Sequence, residues 1–125
     1  MNTVNDLSIS KLNLYVYKSK IQIDISNIIM LEAQVNYTII YLKNGKKMMV
    51  SKTLKSFEEL LLNYRFYRIH RAFLINSEHL QAYDSTLGQA RLTNDYTVST
   101  SRRKKEFFEK QMNRASLTSI KALIS

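Results

Sequence analysis

The chain has 125 residues, with 19 Lys and Arg against 10 Asp and Glu, giving a formal net charge of +9 with His neutral and a pI near 9.8. That length fits one domain, and a hydrophobic content of 45% suits a packed core and excludes a disordered chain. The lack of Cys rules out disulfides and thiolate metal sites, and neither a membrane-length apolar run nor a signal-peptide pattern is present, so the excess of cations points to an anionic partner in a cytoplasmic setting, nucleic acid first.

Residues 1–10 are polar and aperiodic and read as a lead-in. Leu12, Leu14 and Val16 alternate with Asn13, Tyr15 and Tyr17, the period of two that marks a strand. Lys18-Ser19-Lys20 reads as a polar turn, after which Ile21, Ile23 and Ile25 alternate with Gln22, Asp24 and Ser26. The continuous run Ile28-Ile29-Met30-Leu31 suits a buried strand. Residues 37–43 are rich in β-branched and aromatic side chains, and residues 46–51 form a second such run. Asn44-Gly45 between them predicts a hairpin whose turn residues both take positive φ.

Leu54, Phe57, Leu61 and Tyr64 recur at helical spacing, with Thr53 as cap and Ser56 and Glu59 as a capping box. Phe73-Leu74-Ile75 and Leu80-Gln81-Ala82-Tyr83 read as strands, followed by a turn at 85–88. Residues 89–93 and 96–99 flank Asn94-Asp95 as a second hairpin. A second helix is predicted after Ser101 and toward Arg114, with Phe107, Phe108 and Met112 on its apolar side. Residues 116–125 either continue as a short helix through Leu117, Ile120, Leu123 and Ile124 or fray. With no Pro and 2 Gly, no glycine-rich phosphate loop can form.

Enzyme chemistry finds no constellation. His70 and His79 are the available bases, and nothing in the spacing sets a hydroxyl or carboxylate beside either. Two His and scattered acids lack metal-ligand spacing. The pair Glu58-Glu59 is accounted for by favourable charge near a helix N-terminus. No catalytic residue, metal or cofactor is therefore expected, and the protein is not read as an enzyme.

The positive charge is clustered. No acid falls between Glu32 and Glu58, whereas Lys43, Lys46, Lys47, Lys52 and Lys55 do; lysines that blunt a sheet edge account equally well for the first three. Arg65, Arg68, His70 and Arg71 interleave with Phe66, Tyr67, Ile69 and Phe73. If extended, this segment puts Arg68, His70 and Ala72 on one face and Ile69, Arg71 and Phe73 on the other. A turn with surface arginines and a buried, hydrogen-bonded His70 is the plainer reading, and for His70 the favoured one. Ser101-Arg102-Arg103-Lys104-Lys105 resists such a reading. Four cations in the first turn of a helix oppose its dipole, at roughly a few tenths of a kcal/mol each. They become useful where a phosphate binds the helix start. A membrane-surface helix fits less well, because Glu106 and Glu109 interrupt a narrow apolar face.

Four stretches, in order, resemble the LytTR-type DNA-binding domain of bacterial transcription regulators. They are IIMLEAQVNYTIIYLKNG, with Glu32 before a loop and Asn36-Tyr37 before a strand; SKTLKSFEELL; FYRIHRAFLIN, with Arg68, His70, Arg71 and Asn76; and the basic VSTSRRKKEF. The resemblance spans residues 20–113, leaving 1–19 as lead-in and first strand and 114–125 as a C-terminal tail. It implies a mainly β fold, an elongated arrangement of small antiparallel sheets with one or two short helices. It also implies an output domain of response-regulator type that binds and bends duplex DNA through loops and strand ends entering successive major grooves, on direct repeats. Base contacts are then expected from Asn36, Asn76, Arg102 and Arg103, since Arg reaches guanine O6 and N7 and Asn pairs with adenine N6 and N7. Phosphate contacts are expected from Tyr37, Lys52, Arg71, Ser101, Lys104 and Lys105. Pairing of copies on DNA and an upstream sensor or receiver protein belong to the same expectation. Residues 1–19 are too few for the receiver domain many such regulators carry, so the chain is expected to be a stand-alone domain or a piece of a longer regulator. Two rivals remain: a single-stranded nucleic-acid or RNA binder stacking bases on Tyr15, Tyr17, Tyr37 and Tyr41, and a basic protein-interaction module.

Overall fold

The computed structural model describes residues 10–16 and 18–115; the lead-in at 1–9, Tyr17 and the tail 116–125 lie outside the described residues. The described residues form ten strands and two helices: β1 (Lys11–Val16), β2 (Ser19–Asp24), β3 (Ile28–Gln34), β4 (Tyr37–Leu42), β5 (Lys47–Val50), α1 (Leu54–Leu60), β6 (Phe66–His70), β7 (Phe73–Asn76), β8 (Leu80–Asp84), β9 (Gln89–Leu92), β10 (Thr97–Ser99) and α2 (Arg102–Ala115). They build three antiparallel sheets, ordered β1-β2, β5-β4-β3-β7-β6 and β10-β9-β8. The mainly β arrangement of small sheets is as expected.

The five-stranded sheet is the centre, and both of its faces are buried. On one face Leu31, Ile40, Val50 and Leu74 meet Leu12, Leu14 and Ile23 of the β1-β2 hairpin and Leu54, Phe57 and Leu61 of the α1 segment. On the other, Met30, Tyr41, Tyr67, Ile69 and Ile75 meet Tyr83, Ala90, Leu92 and Val98 of the three-stranded sheet and Phe108 and Met112 of α2. The unbroken apolar run at 28–31 follows from this double burial. A bulge between Ile28 and Met30 leaves Ile29 without a cross-strand partner, and Ile29 and Met30 both pack into the second core.

Several local expectations need correction. Ser19 and Lys20 already belong to β2, so the first turn is shorter than read. The β4-β5 turn is a hairpin, yet positive φ falls on Gly45 (92°) and not on Asn44. Gly45 N donates to Leu42 O at 2.9 Å and Leu42 N to Lys46 O at 2.9 Å, a three-residue loop with the glycine at its bulge. At the other hairpin both Asn94 and Asp95 take positive φ, 64° and 63°. The helix cap is Thr53, whose Oγ1 accepts from Ser56 N at 3.1 Å. Ser56 therefore lies inside α1 and forms no box with Glu59. Phe107 is exposed; Phe108 and Met112 alone of the expected trio are buried. β6 was not among the predicted strands, because its cations mask the alternation.

Phe108 fastens α2. Its ring makes edge contacts with Tyr67 of the central sheet at 5.8 Å and with Tyr83 of the three-stranded sheet at 5.3 Å. Beside it Tyr83 donates to Glu109 Oε2 at 2.5 Å, and Lys105 Nζ lies 3.1 Å from the same oxygen. At Gly88 (φ +65°) a Cβ would come within 2.6 Å of Thr100 Oγ1, so the 85–88 turn can seat against the start of α2 only without a side chain.

Phe108→Ala removes the ring shared by two sheets and a helix. It is expected to lower unfolding free energy by about 3–5 kcal/mol, read from urea denaturation. A second prediction concerns alkaline pH. Burial, then the hydrogen bond to Glu32, pushes Tyr41 up to about 12; burial raises Tyr67 too, and burial with the Glu109 bond raises Tyr83. The neutral phenols are the stabilised form, so their contribution is intact below the ordinary tyrosine value of 10 and fades as pH rises through the shifted values. Part of the phenolate absorbance is expected to appear only well above pH 10, with unfolding accompanying it.

Candidate nucleic-acid interface

One end of the central sheet collects three of the basic segments, and strand register fixes which residues arrive there. Gln34 pairs with Tyr37, so β3 and β4 are joined by Val35 and Asn36 alone. Val35 takes φ 49°, a conformation that a β-branched residue reaches only under strain, and it stands fully out in solvent. Asn36 and Tyr37 are exposed beside it. The buried Thr38 donates through Oγ1 to Lys52 O at 2.6 Å, which holds Lys52 against the start of β4. Ala33 N donates to Ala72 O at 2.8 Å, bringing the β6-β7 turn, with exposed Arg71, to the same end. Ser101 N donates to Ile69 O at 2.9 Å, so α2 begins next to that turn.

Arg68 organises the β6-β7 turn. Its guanidinium donates to Glu58 Oε1 at 2.8 Å, to His70 O at 3.1 Å and to Arg71 O. His70 Nδ1 accepts from Ala72 N at 3.0 Å, so it is hydrogen-bonded as expected, but it is half-buried and not buried. A bulge between Arg68 and His70 breaks the alternation expected here: Arg68 pairs with Leu74 and His70 with Phe73, neighbours on opposite faces. Arg68 and His70 therefore do not share a face. The positioning role of Arg68 had no signal in the sequence, because Glu58 sits on a different element.

At the start of α2, Ser101 Oγ accepts from Lys104 N at 3.2 Å and caps the helix. The N–H groups of Arg102 and Arg103 have no intrahelical acceptor in that geometry, and both side chains are exposed. Acids near this end are occupied: Glu32 accepts from Tyr41 at 2.5 Å, Glu58 pairs with Arg68 and Glu109 holds Lys105. Among the described residues Lys52, Arg71, Arg102, Arg103 and Lys104 have no acidic partner. Lys105, expected on phosphate, is paired with Glu109 at 3.1 Å. From β5 to β6 the sheet spans four strand spacings, roughly 19 Å, so Lys52, Asn36-Tyr37, Arg71 and the α2 start form a row on the scale of a groove and its flanking backbones.

Asn76 departs from the expected set. It lies at the opposite end of β7, paired with Phe66, and is 2% exposed. Its Nδ2 donates to Ile28 O at 2.8 Å and its Oδ1 accepts from Glu78 N at 3.0 Å. Both ends of the amide are spent on the fold, so no base can pair with it here. Lys43, Lys46 and Lys47 also lie at that far end, around the β4-β5 loop. Tyr41 is buried, so no Tyr37–Tyr41 stacking platform faces solvent.

The fold does set a hydroxyl beside a histidine, against expectation: Thr93 Oγ1 lies 2.8 Å from His79 Nδ1. His79 is buried, however, and its Nε2 bonds Ser26 O at 2.6 Å. It tethers the links between β2 and β3 and between β9 and β10. Among the described residues no group of His and acids could hold a metal, and no helix is long and apolar enough to cross a membrane.

Comparison with known proteins places this geometry. The family model described as the LytTr DNA-binding domain matches residues 18–113. A solved structure described as the LytTr DNA-binding domain of a methyl-accepting/DNA response regulator from Bacillus cereus is similar, with TM-score 0.69 and 25% identity over 81% of this chain and 94% of that one. No curated protein sequence matches.

Stability should separate the fold residue from the surface ones. Asn76→Ala is expected to cost about 1–3 kcal/mol, since it strands a buried carbonyl and amide. Arg103→Ala is expected to leave stability unchanged or a few tenths of a kcal/mol higher, because a cation leaves a helix N-terminus. Urea midpoints of the two variants check both signs.

Proposed function

The chain belongs to the LytTr DNA-binding domain family, and we propose that it acts as a sequence-specific transcription regulator that reads the major groove of duplex DNA through loops and strand ends. The observation that carries this reading is the row of cations at one end of the central sheet that have no acidic partner among the described residues, set on three separate turns by hydrogen bonds to backbone carbonyls. Asn36, Arg102 and Arg103 are the base-reading groups. Tyr37, Lys52, Ser101 and Lys104 hold phosphates and fix register. With Asn76 in the core, the exposed Arg71 is the residue of its segment that reaches DNA. Lys105 supports the helix from Glu109. Binding to direct repeats, pairing of two copies on DNA and control by an upstream sensor or receiver protein in the cytoplasm complete the proposal.

Selection from a randomised duplex pool at near-physiological salt tests it. One motif is expected to emerge, bound 10³-fold or more above random duplex. Arg103→Ala should cost roughly 1–3 kcal/mol on that motif and flatten the preference at one base pair. An equal loss on every duplex would move Arg103 to the phosphates. Equal weak binding of all polyanions by the unaltered protein would overturn the sequence-specific reading.

A further inference from the structure

We propose that Tyr15, Lys18 and Lys20 of the β1-β2 hairpin form an additional duplex-DNA contact, gripping the phosphate backbone beside the Asn36 loop; this rests on the duplex-DNA reading above. β1, which carries Tyr15, precedes the matched region, and Lys18 and Lys20 stand at its very start; the match assigns no role to individual residues.

Three observations converge on the tip. The first is position. β1 runs beside the free edge of β5, and Tyr15 and Val16 share a groove of about 840 Å³ with Tyr37, Met49 and Lys52. Tyr37 and Lys52 are the outermost residues of the proposed DNA row, so the tip continues that row on its β5 side. The second is charge. At the base of the hairpin Lys11 faces Asp24 at 3.9 Å, whereas at the tip Lys18 and Lys20 are exposed and have no acidic partner among the described residues. The hairpin is neutral where it meets the fold and cationic where it projects. The third is chemistry. Tyr15 is 70% exposed and lies directly across the hairpin from the exposed Lys20, so a phenol and an ammonium extend from the same face of the hairpin. That pair suits a phosphate oxygen, the kind of contact that positions a protein on the duplex. A polyanionic backbone continuous with the row is therefore the occupant that the charge and the position select.

The test is the double variant Lys18→Ala/Lys20→Ala of the full chain, titrated with the selected duplex over a range of salt. Lys11→Ala serves as control, and circular dichroism checks the fold. If both lysines meet phosphates, the slope of log affinity against log salt becomes less steep by about 1.8, from roughly 0.9 per phosphate. The preferred sequence stays the same, and Lys11→Ala leaves the slope untouched. An unchanged slope in the double variant, with the unaltered protein still selecting its motif, overturns the hairpin contact and leaves the proposed function standing. A changed preferred sequence overturns the phosphate assignment in favour of base reading. Failure of the unaltered protein to prefer duplex overturns both.

Discussion

The docking of α2 through Phe108 is the contact on which the interface depends. An isolated 14-residue helix with a basic first turn is marginal in water, because nucleation is unfavourable and its dipole repels those cations. What fixes it is burial of one ring between Tyr67 and Tyr83, contributed by two different sheets. That seat sets the start of α2 against Ile69 and hence beside Arg71. The same ring ties the three-stranded sheet to the central one. The position of the arginines is thus a consequence of core packing several residues further along the chain.

The second support is polar. Arg68 is a cation in the middle of a basic segment, and it is kept from DNA by its own bonds to Glu58 and to two carbonyls of the turn it organises. Its charge is compensated by the nearby carboxylate, and its side chain is 19% exposed. Arg71, three residues on, has its carbonyl held by Arg68 and its side chain free. Two arginines of similar local context are divided into scaffold and surface by which of them meets α1.

This division marks the limit of what the sequence discloses. Alternation in β1 and β2, the Asn44-Gly45 and Asn94-Asp95 hairpins, and the capped α1 are local signals with short-range causes, and they are legible. The ordered motifs disclose the family and therefore the end of the sheet where binding is expected. What fails is whatever depends on the third dimension. Asn76 looks like an exposed amide closing a strand, but the carbonyl of Ile28, 48 residues away, accepts a hydrogen bond from its Nδ2. Phe107 and Phe108 are adjacent and equally apolar, and a rotation of the helix decides which is buried. The bulges at Ile29 and Ile69 reverse side-chain faces without any Gly or Pro to announce them.

The two ends of the central sheet obey local rules to different degrees. At the far end Gly45 takes φ 92° and Asn94 64°, residues suited to positive φ, while Arg65 before β6 takes 56° without a branched Cβ; Asn94 Nδ2 donates to Lys43 O at 3.1 Å to tie two of these loops together. At the basic end Val35 occupies φ 49°, where a branched side chain costs about 1–3 kcal/mol. The first turn of α2 there carries cations that its dipole disfavours. Ser101 as cap, worth about 1 kcal/mol, and the Lys105–Glu109 pair offset part of this. Both departures sit on surface that makes no contribution to either core. Natural chains hold such local conflicts where a ligand supplies the missing stabilisation. A phosphate at the start of α2 would relieve the repulsion among Arg102, Arg103 and Lys104, and the strained Val35 holds Asn36 at the tip of a two-residue turn in place of a longer, looser loop. The branched residue at positive φ and the basic first helical turn thus both sit at the end that duplex DNA would stabilise.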